Sequence, residues 1–68
     1  MGGYYSMKIK FNQKLLSIFN YIETCENPIT FAELLHWSID MDCYKEFFVN
    51  YHLVEKLRLE HNSAIQIS

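Results

Sequence analysis

The sequence predicts a small α/β (α+β) domain: an N-terminal strand, three helices and a C-terminal β-hairpin. Three observations carry that prediction. Residues Met7 to Phe11 alternate apolar and basic. Thr30-Phe31-Ala32-Glu33 is a helix-start signal placed in mid-chain. From Val54 onward the apolar spacing shortens to two.

Met7, Ile9 and Phe11 fall on one side of the first stretch, with Lys8 and Lys10 on the other. Period two over five residues predicts a half-buried strand. Tyr5 extends its apolar side, and residues 1–6 read as a loose terminus. Asn12 is placed to cap a first helix over Gln13–Cys25. Leu15, Leu16, Phe19 and Ile22, with Ile18 beside them, make one apolar stripe at helical spacing. Asn27-Pro28 ends it, because a residue before proline is pushed out of the helical region.

Thr30 and Glu33 stand at the spacing of a capping box. The hydroxyl can accept from the Glu33 amide while the carboxylate reaches back to the amide of Thr30. A second helix over Phe31–Trp37 follows, then a turn at Ser38-Ile39-Asp40, with Asp40 or Asp42 capping the next helix. The third helix spans Met41–Tyr51. Tyr44, Phe47, Phe48 and Tyr51 recur at three- and four-residue steps and predict an aromatic inner face. Beyond Val54, Leu57 and Leu59 alternate with Lys56, Arg58 and Glu60. His61-Asn62-Ser63-Ala64 reads as a turn, and Ile65-Gln66-Ile67-Ser68 alternates again, which is the pattern of a hairpin.

The 68 residues predict a single domain over 1–68. Such a chain buries only about 60% of the surface of its unfolded form. Half of its residues are apolar, and five Tyr, five Phe and one Trp give an aromatic core and spare rings for an interface. Cys25 and Cys43 read as reduced core thiols. No apolar run approaches the roughly 20 residues of a membrane span, and no signal peptide is visible, so a cytoplasmic protein is expected, cellular or from a phage or plasmid. Met1-Gly2-Gly3-Tyr4-Tyr5-Ser6 formally fits a myristoylation pattern short enough to arise by chance.

The order helix, helix, turn, helix, hairpin resembles the winged helix-turn-helix family. PITFAELLHWSIDMDCYKEFFVNYHLVEKLRLE looks like that family's core, with Pro28-Ile29-Thr30 opening the second helix and Leu53-Val54 leading into the wing. The resemblance implies a regulator, with DNA binding as the family's common use. Ser38 and His52 stand where the family often has glycine. Its reading helix usually carries basic and amide side chains. Here that helix and its cap carry Asp40, Asp42 and Glu46 against one base, Lys45.

Charge is segregated. Leu15 to Val54 carries −5 and the flanks +3, within a net −2. The expected function is therefore a non-enzymatic protein-binding regulator or inhibitor. Its acidic helical face is Glu33, Asp40, Asp42 and Glu46, with Trp37 as an apolar anchor. The alternative is a DNA-binding regulator that sets Lys8, Lys10, Lys56 and Arg58, on one face of the sheet, against phosphates. A homodimer would double that basic footprint. Phosphate loops and HExxH are absent from the sequence, and His36, His52, His61 and the two cysteines lack close ligand spacing, so neither catalysis nor a cofactor is expected.

Overall fold

The computed structural model describes the backbone of residues 2–67 and the side chains of residues 13–67. The described residues form four helices: α1 (Gly2–Thr24), α2 (Phe31–Asp40), α3 (Tyr44–Val49) and α4 (Tyr51–Ile67). The domain is all-helical, and no strand forms among the described residues. This corrects the α/β expectation at both ends.

At the N-terminus, the predicted strand over Met7–Phe11 is instead part of α1. A strand needs a partner to satisfy its amides, whereas a helix satisfies them within the segment. With no hairpin to pair with, the stretch continues the helix that follows it. At the C-terminus, the predicted wing is α4. The alternation of Leu57 and Leu59 was a partial view of a helical face. Val54, Arg58, His61 and Ile65 recur at helical steps, and Val54 is buried while the others are half-buried. The middle of this face is polar, so apolar spacing alone does not reveal it.

That polar middle has a structural task. The connection from Cys25 to Thr30 runs between α1 and α2, and α4 fastens it. Arg58 Nη1 donates to the Ile29 carbonyl at 2.8 Å. Asn62 Nδ2 donates to the same carbonyl at 2.8 Å, and Asn62 Oδ1 accepts from the Ile29 amide at 3.0 Å. His61 Nε2 donates to the Cys25 carbonyl at 2.9 Å. Ile29 is buried, so its backbone groups need such partners as much as its side chain needs the core.

The core comprises Ile18 and Ile22 of α1, Ile29, Leu34 of α2, Cys43, Phe47 of α3 and Val54 of α4. Of the expected aromatic face only Phe47 is buried. Tyr44, Phe48 and Tyr51 remain exposed, and the break at Asn50 after six residues puts Tyr51 on the next helix. α1 packs against α3 and α4, α2 against α3, and α3 against α4.

The capping box at α2 forms as the sequence predicts: Glu33 N donates to Thr30 Oγ1 at 3.1 Å and Thr30 N donates to Glu33 Oε1 at 3.2 Å. The helix runs three residues past its predicted end. Ser38 lies buried inside it, donating to the Leu35 carbonyl, rather than in the turn. The turn falls at residues 41–43 instead. Asp42 takes φ 57° there, a left-handed geometry in which Asp and Asn are enriched. Asp42 is thus a turn residue, and Cys43 is the N-cap of α3, with no side-chain cap bond.

Candidate functional site

The five acidic-face candidates separate into two groups. Glu33, Trp37 and Asp40 come together on the outer face of α2. With Ala32 and His36 of the same helix and Tyr21 of α1 they line an open groove of about 490 Å³. Asp42 and Glu46 lie outside it, beside the start of α3.

Trp37 sits at the junction of α1 and α2. Its indole stacks on the Tyr21 ring with centroids 4.3 Å apart and planes 5° from parallel. Both rings are half-buried and pack against the core edge, which makes them an apolar wall. The Tyr21 hydroxyl is pushed above its ordinary pKa, first by burial and then by the Cys25 thiol and the Glu33 carboxylate. It therefore stays neutral at physiological pH.

Two carboxylates flank this wall. Glu33 Oε1 accepts from the amide and the hydroxyl of Thr30, at 3.2 and 2.9 Å, while Oε2 takes neither bond. Capping thus orients Glu33 without using its whole acceptor capacity. Asp40 Oδ2 stands 3.3 Å from His36 Nδ1, one helical turn away, and both side chains are largely exposed. An exposed pair of this kind contributes at most about 1 kcal/mol, so Asp40 can exchange His36 for a cation at little cost.

Asp42 serves the fold: Lys14 Nζ donates to its carbonyl at 2.9 Å and lies 3.5 Å from Oδ2, tying α1 to the turn. Glu46 is half-buried, and its Oε1 has no partner among the described residues. Its charge acts on Cys43. Burial, then Glu46, push that thiol above its ordinary pKa, with Lys14 opposing and Asp42 adding. Cys43 is thereby a poor nucleophile at neutral pH. Among the described residues no group of three His, Cys, Asp or Glu side chains is placed to hold a metal, and no helix is long and apolar enough to cross a membrane.

The basic candidates do not share a sheet face, since there is no sheet among the described residues. Lys8 and Lys10 belong to α1, where positions two apart are separated by about 200° around the helix; their side chains lie outside the described ones. Lys56 is exposed on α4. Arg58 is 13% exposed and engaged twice, by the Ile29 carbonyl and by Glu55, whose Oε1 accepts from its Nε at 2.8 Å and from its Nη2.

Tyr21 and His36 are groove residues that the sequence reading missed. Tyr21 directly precedes Ile22 of the α1 stripe, and that position beside a core stripe was the available signal. His36 lies at i−4 from Asp40, a spacing that pairs side chains on a helix. No protein-family model, curated protein or solved structure matches the chain.

Proposed function

We propose that this chain is a non-enzymatic protein-binding module, a small regulator or inhibitor, whose α2 groove receives a basic segment of a partner protein. The observation that supports this reading is the Tyr21–Trp37 stack with the Glu33 and Asp40 carboxylates beside it. An indole attracts a guanidinium or ammonium group through its ring quadrupole, and flanking carboxylates add charge-assisted hydrogen bonds. A cationic side chain of the partner lies along the indole, and its charged end replaces His36 at Asp40.

Trp37 is the only tryptophan, so its fluorescence reports occupancy directly. Short Arg- and Lys-containing peptides, titrated against Glu-containing controls of equal length, should change that emission, and added salt should weaken the effect. Glu33→Gln keeps the capping box, because glutamine also serves there. Combined with Asp40→Asn it should lower affinity for the basic peptides by roughly tenfold. Equal responses to basic and acidic peptides, or no loss in the double variant, would sink the proposal.

A further inference from the structure

A second groove lies on the opposite flank of α1, and nothing in the α2 reading uses it. Phe19 and Glu23 of α1 and Leu53, Lys56, Leu57 and Glu60 of α4 line a volume of about 430 Å³. Its apolar character continues beyond the lining. Leu16, one turn before Phe19, is 56% exposed, as is Leu53, and Ile67 near the end of α4 is 86% exposed.

The spacing shows that this is a second face rather than frayed core. On α1 the core takes Ile18 and Ile22, while Leu16, Phe19 and Glu23 follow steps of three and four on the neighbouring face. On α4 the core and the loop take Val54, Arg58, His61 and Asn62. Leu53, Leu57, Glu60, Ala64 and Ile67 follow steps of four, three, four and three. That is the register of a helix-pairing seam. Leu57 and Phe19 serve both faces: they touch the core from one side and line the groove from the other.

The charges on this seam indicate its occupant. Glu60 interrupts this apolar line and Lys56 lies beside it, one helical turn apart, and neither forms an ion pair with a described residue. A basic partner would meet Lys56 and an acidic one Glu60. A second copy running antiparallel meets both with opposite charge. With the two-fold axis at the level of position 58, Lys56 of each copy stands level with Glu60 of the other, and the two Leu57 side chains flank the axis. An isologous interface requires this self-complementarity.

We infer that the outer seam of α1 and α4 is a self-association surface, on which two copies of this chain pair their α4 helices antiparallel about a two-fold axis. α4 has 17 residues, about 25 Å of helix. A contact of that length belongs to the small interfaces, below about 1,200 Å², so the dimer forms reversibly as concentration rises. It leaves the α2 groove open, giving two copies of that groove per assembly.

Sedimentation equilibrium of the full chain between about 5 and 500 μM tests this, since dimer population follows concentration. The expected result is a rise in mass from one chain toward two. Leu53→Glu, at an exposed position, should keep the chain monomeric with unchanged helical circular dichroism. Lys56→Glu should weaken pairing by roughly tenfold, and Lys56→Glu combined with Glu60→Lys should restore it. A native chain that is monomeric throughout overturns the inference, including one that binds a foreign amphipathic helical peptide at this seam. So does a dimer indifferent to both Leu53→Glu and Lys56→Glu.

Discussion

The inner face of α4 and the outer face of α2 carry similar chemistry and use it in opposite ways. Each presents a histidine and charged residues within two helical turns: His61 with Arg58 and Glu55 on α4, His36 with Asp40 and Glu33 on α2. On α4 the polar atoms meet backbone groups of the 25–30 connection at 2.8 to 3.0 Å, and Arg58 is 13% exposed. On α2 one contact is a long, exposed His–Asp pair, and Glu33 caps its helix with a single oxygen. The difference teaches that polar residue type does not mark a binding face. In the proposed reading, the α2 face is set apart by exposed acceptor capacity left over beside the Trp37 ring once the fold has been satisfied.

Substitutions should separate the two faces, beginning with the largest effect. Asn62→Leu strands the buried Ile29 amide, an unmade bond that costs about 2–3 kcal/mol; in a domain this small that is a large share of the total, read as a drop in Tm. Arg58→Met removes one of two donors to the Ile29 carbonyl and leaves Glu55, 22% exposed, without its cation. Some solvent screening remains there, so about 2 kcal/mol is expected in urea denaturation. Thr30→Ala removes the α2 cap, which is typically worth about 1 kcal/mol, and should move the urea midpoint by less than either.

Cys43 supplies a pH-dependent check on the same division. Its folded pKa is raised, so the unfolded chain releases the thiol proton first as pH climbs. The stability tied to the neutral thiol is complete below the ordinary thiol pKa and declines as pH rises through that value toward the folded one. Chemical denaturation at pH 7 and above the ordinary thiol range should show this fall, and Cys43→Ala should reduce it to the part that the raised Tyr21 pKa contributes. With thiol reagents Cys25, half-buried, should react before Cys43, whose modification should wait on unfolding. The smallest effect belongs to the outer face: Asp40→Asn should leave the urea midpoint unchanged while reducing capture of basic peptides.

The sequence yielded what is local and misled where the cause lay elsewhere in the chain. The Thr30/Glu33 capping box needed only neighbouring residues and holds in the fold, whereas the α1 stripe holds in part: Ile18 and Ile22 are buried, Leu15 and Phe19 are partly buried and Leu16 is exposed. α4 was read as a hairpin because Arg58, His61 and Asn62 interrupt its inner face. Their burial makes sense only once the connection at Ile29, some thirty residues earlier in the chain, lies against them. Asp42 was taken for a helix cap because a left-handed turn aspartate and a capping aspartate share one sequence signature. At the groove, Glu33, Trp37 and Asp40 are legible only as part of a wider acidic set with Asp42 and Glu46, because the sequence places Asp40 in the turn and the structure carries α2 through it. Tyr21 is not legible, because its stacking partner belongs to another helix.

Backbone and indole chemical shifts, followed by NMR while an arginine-containing peptide is added, test the division between the two faces most directly. The predicted result is a set of perturbations confined to Tyr21, Glu33, His36, the Trp37 indole and Asp40, with Ile29, Arg58 and Asn62 unmoved. Perturbations centred on α4 and the 25–30 connection, or none at the Trp37 indole under saturating peptide, would contradict it.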